Sequence, residues 1–161
     1  MNTSIIESTV NTWIAEPEKA KVSPRVTART EGTHAIIDTG VFSWKMDLAE
    51  AIGGENTAPS PTALLLGALS GCAAIFIKDT LAPQLGIEVD DVEAIVQCKT
   101  DARGLLGMEN ALPDLLDIEL TIQIISDAPK EDIEHLFETW KQRCPVYLAL
   151  LKPMNISTSL G

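Results

Sequence analysis

Two cysteines carry the chemical interest of this chain. Cys72 closes the run Leu64-Leu65-Leu66-Gly67-Ala68-Leu69-Ser70-Gly71-Cys72, and Cys144 stands directly before Pro145, seventy-two residues later. Thiols on two separate helical segments suit a pair that cycles between dithiol and disulfide. Reactivity belongs to the thiolate, and the helical neighbours of Cys72 (Ala68, Leu69, Ile75 and Phe76) are apolar, which favours the neutral thiol. A working Cys72 therefore needs a cation or oriented N–H donors from elsewhere; otherwise it is a small buried hydrophobe. The arginines are Arg25, Arg29, Arg103 and Arg143. Arg25 and Arg29 fall on a predicted strand before a hairpin turn, from which either could fold across the helix. If Pro145 opens a short helix, Cys144 is its N-cap, where backbone N–H groups favour a thiolate. The alternative is a cysteine packed at a helix kink. Cys98, on the apolar face of a strand, reads as core. His34 and His135 stand singly and no Cys or His pair has ligand spacing, so no zinc site is expected.

Those thiols need elements to position them. Ile6, Val10, Trp13 and Ile14 recur at helical spacing in residues 1–16, and Pro17 ends that helix. Strands are predicted at Val22–Thr30, His34–Asp38 and Val41–Leu48, separated by Thr30-Glu31-Gly32-Thr33 and Asp38-Thr39-Gly40 turns. Ser60 can cap the central helix and Pro61 fits its first position; the helix should end near Pro83–Gly86. From Ala63 to Ile77 it is apolar or small on every face, so it must be buried all round. One modest sheet covers one side. Gly67-Ala68-Leu69-Ser70-Gly71 offers a surface for a second helix, and an obligate homodimer with paired central helices follows.

Farther along, Val92, Ala94, Val96 and Cys98 alternate with Glu93, Gln97 and Lys99. Leu116, Ile118, Leu120, Ile122 and Ile124 alternate with Asp117, Glu119, Thr121 and Gln123. Period 2 marks two strands with one buried face and one wet face. Asp101–Pro113 reads as a loose connection. A helix is predicted from Pro129 to Arg143, with acids in its first turn and bases in its last. A short helix over Val146–Leu151 and a final strand over Met154–Leu160 complete the order. Three strands, helix, two strands, helix, strand is α+β with antiparallel pairing. Residues 1–20 read as a helical extension and 21–161 as the main domain.

The chain has 161 residues, 45% hydrophobic and 22% charged, the composition of one globular domain. A net charge of −11 argues against nucleic acid and against anionic membrane surfaces. The apolar span Ala63–Ile77 has 15 residues, fewer than the ~20 of a membrane helix. No basic segment followed by an apolar one opens the chain, so no secretory signal is expected and a cytoplasmic location is.

The segment Gly53-Gly54-Glu55-Asn56-Thr57-Ala58-Pro59-Ser60-Pro61-Thr62, the Leu-Leu-Leu-Gly-Ala-Leu-Ser-Gly-Cys that follows, and Cys144-Pro145-Val146 resemble the OsmC/Ohr superfamily of osmotically inducible and organic-hydroperoxide-resistance proteins. The resemblance runs from about Arg25 to the C-terminus. It implies an intertwined α+β homodimer, with antiparallel sheets wrapped around central helices and active sites at the interface. It implies a cofactor-free thiol peroxidase in which Cys72 attacks an organic hydroperoxide, Cys144 resolves the product and an external dithiol resets the pair. Arg29 matches the family's catalytic arginine within one residue, and Arg25 is the alternative. The chain departs from the pattern where active members carry a glutamate after the helix-starting proline. Thr62 and Ala63 stand there, and neither can hold an arginine; Glu55 in the preceding loop is the substitute to consider. That departure sustains a rival expectation, a non-catalytic dimeric module binding a small apolar ligand. A structural Cys72–Cys144 disulfide is a third, disfavoured in a reducing compartment.

Overall fold

The computed structural model describes residues 3–161. Helix α1 (Thr3–Ala15) follows the apolar spacing of the N-terminus, and the first two residues of the expected 1–16 helix lie outside the described residues. Strands β1 (Thr27–Glu31), β2 (His34–Asp38) and β3 (Ser43–Met46) form one antiparallel sheet in the order β1-β2-β3. Its register pairs Thr27 with Asp38 and Glu31 with His34. Gly32, at φ +61°, takes the left-handed position of the β1–β2 turn. The expected strand Val22–Thr30 begins only at Thr27. Asp38, the last residue of β2, is already opposite Thr27, and Pro24 has no N–H to offer a ladder.

Helix α2 (Pro61–Phe76) starts as the residues dictate: the Ser60 hydroxyl accepts the Ala63 N–H at 3.1 Å, and Pro61 needs no partner. It continues without a break through a π turn (Ile77–Leu81) into α3 (Ala82–Leu85). Pro83 cannot donate to the carbonyl four residues back and its ring crowds that carbonyl, so the helix widens immediately before it. Gly86, at φ +70°, ends it, and the Ile87 N–H returns to the Ala82 carbonyl at 2.9 Å. Leu69, Ala73, Ile77 and Leu81, four residues apart, are the buried stripe. Off that stripe some apolar side chains are exposed: Leu65 is 40% exposed and Ile75 62%. Burial all round, expected from composition, is therefore incomplete in a single copy.

Strands β4 (Asp91–Lys99) and β5 (Leu116–Ile125) pair as a two-stranded sheet. Their burial alternates as the period-2 pattern requires. On the wet face Gln97 meets Glu119 at 2.6 Å and Lys99 meets Asp117 at 2.8 Å. Helix α4 (Lys130–Arg143) buries Leu136, Thr139 and Trp140, and α5 (Pro145–Leu151) follows after one residue. The expected strand Met154–Leu160 does not form; Met154, Ile156 and Leu160 are exposed. Strand-forming residues make a strand only where a ladder partner lies alongside.

The contacts divide the chain into two compact units. One holds Ala68–Ile95 and Leu120–Gly161 with the start of α1; the other holds Thr9–Gly67 and Val96–Glu119. Helix α2 begins in the second and ends in the first.

Candidate functional site: a thiol pair

Cys72 lies on the fourth turn of α2, and Cys144 occupies the single residue between α4 and α5. Both belong to the same unit. Their sulfurs are 3.0 Å apart and both thiols are free. A disulfide bond is ~2.05 Å long, so closing it calls for a movement of about 1 Å.

Pro145 explains the position of Cys144. Without an N–H it cannot extend α4, yet its fixed φ suits the first turn of α5. Cys144 is left extended (φ −71°, ψ 113°) as the N-cap of α5, and its sulfur accepts the Tyr147 N–H at 3.5 Å. Its own N–H donates to the Trp140 carbonyl at 2.8 Å. The Trp140 and Tyr147 rings, 4.9 Å apart, lie to either side of it in sequence, and Cys144 is fully buried. Cys72 is half-buried and is the more accessible of the pair.

Burial pushes the Cys72 thiol up, to about 12, and Cys144 adds to the rise through its hydrogen bond and its charge; the Val146 N–H works in the opposite direction. None of these influences is a cation. Arg143, adjacent to Cys144 in sequence, donates to the Gln84 side chain at 2.8 Å. Arg103 is bound to Asp101, with its shortest contact 2.6 Å. Arg29 lies in the other unit, where its exposed guanidinium faces Glu31 at 3.9 Å. Arg25, Glu55, Thr62 and Ala63 are exposed.

Asp47, which the sequence did not single out, shapes the loop before the cysteine helix. Its side chain is buried at the end of β3, and it accepts N–H groups from Leu48 (2.7 Å), Glu55 (3.3 Å) and Thr57 (2.8 Å). It also accepts the Thr57 hydroxyl at 3.0 Å. These bonds, the one to the Thr57 N–H foremost, hold its carboxyl near pKa 2. His34 Nε2 lies 2.6 Å from that hydroxyl and 3.6 Å from Asp47 Oδ2. The hydroxyl proton goes to Asp47, so His34 Nε2–H is the donor to Thr57. The segment Gly53–Thr57, which leads into the cysteine helix, is thus wrapped around one carboxylate. The available signal was an acid at the end of a strand followed by a glycine pair, the pattern of a turn that needs an acceptor. Among the described residues no cluster of His, Cys, Asp or Glu could hold a metal ion.

Residues 54–159 match the family model described as OsmC-like protein. No curated protein sequence matches the chain significantly. Among solved structures it is similar to an OsmC-like protein from Mycoplasma pneumoniae (20% identity, 81% of this chain and 89% of that one, TM-score 0.66). It is also similar to an organic hydroperoxide resistance protein from Elizabethkingia anophelis (23% identity, 80% and 88%, TM-score 0.57) and to the organic hydroperoxide resistance protein OhrB of Bacillus subtilis (22% identity, 80% and 90%, TM-score 0.51). At these identities the likeness is one of fold.

Proposed function

The chain belongs to the OsmC-like protein family, and from that premise we propose that it is a thiol-dependent peroxidase reducing organic hydroperoxides through Cys72 and Cys144. The observation that carries this reading is the 3.0 Å approach of two free sulfurs, one half-buried and one fully buried. Two solved relatives of the same fold are named as organic hydroperoxide resistance proteins. A Cys72 thiolate attacks one peroxide oxygen; the S–O bond forms, the O–O bond breaks, and the alkoxide takes a proton from solvent to leave as the alcohol. Sulfur is oxidised by two electrons to the sulfenic acid. Cys144 displaces that oxygen as water, forming the disulfide, and an external dithiol returns two electrons and two protons. Apolar residues around Cys72 favour an alkyl peroxide, which gains from burial, over hydrogen peroxide, which has no alkyl group to bury. In this reading Arg29, or Arg25, supplies positive charge at the thiol in the assembled protein.

A homodimer completes the proposal. The helix Pro61–Leu85 is 25 residues long and apolar enough, by length and composition, to cross a membrane. It carries Lys78 and Asp79, however, and Lys78 pairs with Asp91 at 3.4 Å. A Cβ on Gly67 or Gly71 would meet nothing within 4 Å, which leaves room for a second copy's helix on that face. A reducing cytoplasm would keep both thiols free between turnovers.

Peroxide consumption by wild type and Cys72→Ser, with a dithiol as reductant and cumene hydroperoxide as substrate, is the test. Wild type should turn over and the variant should not; equal rates remove Cys72 from the chemistry. The second reading, a non-catalytic dimeric module, is favoured by Thr62 and Ala63 in place of the glutamate and by the rise of the Cys72 thiol. A Cys72 that alkylates as an unperturbed or weaker acid in the assembled protein would support it.

A further inference from the structure

A thiol that reduces the Cys72–Cys144 disulfide must attack one of its two sulfurs, and access and leaving-group strength decide which. Cys72 is half-buried, whereas Cys144, in the single residue between α4 and α5, is fully buried. The Trp140 and Tyr147 rings, 4.9 Å apart, flank Cys144 in sequence, and Trp140 is itself buried. The Tyr147 N–H donates to the Cys144 sulfur at 3.5 Å. A departing sulfur carries a negative charge, and an N–H already directed at it meets that charge without rearrangement. From this geometry we infer that the external reductant attacks Cys72, forming its mixed disulfide there, and that Cys144 is the leaving group, received by the Tyr147 N–H. The inference deepens the peroxidase reading and rests on it.

The exchange balances in two steps. In the first, one thiolate of the dithiol bonds to the Cys72 sulfur, the bond between Cys72 and Cys144 breaks, and its electron pair departs on Cys144. In the second, the other thiolate of the reductant attacks its own sulfur in the mixed disulfide. The reductant's disulfide forms, the bond to Cys72 breaks, and Cys72 leaves as a thiolate. The dithiol loses two electrons, and its two protons pass through solvent to the two cysteines. A thiol that burial and Cys144 push up to about 12 is the poorer leaving group, in keeping with Cys144 leaving first. Cys72 departs only in the second step, where ring closure within the reductant drives it out. The site therefore favours a dithiol over a monothiol, whose adduct on Cys72 the neighbouring Cys144 expels.

The experiment starts from wild type oxidised with diamide and so needs neither peroxide nor mutation. Glutathione, a monothiol, is added and the exchange is stopped with acid. Free thiols are blocked with N-ethylmaleimide, and each cysteine is mapped by peptide mass. Glutathione should be recovered on Cys72, with N-ethylmaleimide on Cys144. Glutathione on Cys144, or on both cysteines equally, overturns the assignment. Two variants read the same choice through adducts that no second thiol can expel. Their rates are corrected for thiolate content by the pH midpoint of iodoacetamide alkylation. Cys144→Ser should then take glutathione from its disulfide onto Cys72 about tenfold faster than Cys72→Ser takes it onto Cys144. Equal or reversed rates overturn the assignment. Peroxide consumption by a wild type whose adduct sits on Cys144 removes the order of attack alone. An adduct on Cys72 in a wild type that consumes no peroxide removes the peroxidase reading alone.

Discussion

Asp47 Oδ2 accepts both the N–H of Thr57, at 2.8 Å, and its hydroxyl, at 3.0 Å. One carboxylate oxygen thereby fixes a residue ten positions downstream and closes the loop that feeds the cysteine helix. Its carboxyl is held near pKa 2 against an ordinary value of 3.8. A depressed acid contributes stability that is present above the unfolded value and is lost as pH falls through the folded one. Asp47→Asn should therefore lower the urea midpoint at pH 7, and the gap from wild type should shrink between pH 4 and pH 2. A constant gap across that window would detach Asp47 from acid stability.

Gly54 sits against the same network. A Cβ there would lie 2.0 Å from the Leu48 carbonyl oxygen and 2.8 Å from Asp47 Oδ1. Backbone must move to admit it. Gly54→Ala should destabilise by about 1–3 kcal/mol, read by chemical denaturation, with faster proteolysis of the Gly53–Thr57 loop.

Gly71 makes the opposite case. Among the described residues beyond its own stretch of helix, none has an atom within 4 Å of a Cβ added there. A Cβ at this position meets no strain of that kind, so a second copy's helix is the expected source of a penalty for bulk. Gly71→Leu should dissociate the proposed dimer, and sedimentation at low micromolar concentration should show wild type at twice 17.3 kDa. A compact wild-type monomer would remove the dimer from the proposal.

The raised Cys72 thiol gives an alkaline counterpart to Asp47. Burial makes the folded chain release this proton later than the unfolded chain, whose ordinary value is 9.0. The contribution is fully present below about pH 9 and is lost as pH rises toward 12. Cys72→Ala should lose less stability than wild type between pH 9 and 11 in thermal unfolding scans. Identical losses would mean that the thiol is unperturbed in the assembled protein.

Local chemistry made much of this molecule legible in advance. Ser60 and Pro61 start a helix wherever they stand before an apolar run, because the cap and the missing N–H act within one turn. The alternation in β4 and β5 reports one buried face in any context. Cys144 before Pro145 is an N-cap for the same short-range reason, and the Gly-Gly-Glu-Asn-Thr-Ala-Pro-Ser-Pro segment with its two cysteines pointed to the family.

Tertiary structure decided what depends on distant partners. Strands expected at residues 22–26 and 154–160 are absent because propensity cannot supply a ladder partner. The π turn at Ile77–Leu81 compromises between Pro83 and continued packing of Ile77 and Leu81, which no periodicity announces. Asp47 reads in sequence as one more surface acid; only the fold turns three groups of a later loop, the Glu55 N–H and the Thr57 N–H and hydroxyl, toward it. The 3.0 Å between Cys72 and Cys144 is likewise a property of packed helices, since seventy-two intervening residues set no distance between two sulfurs.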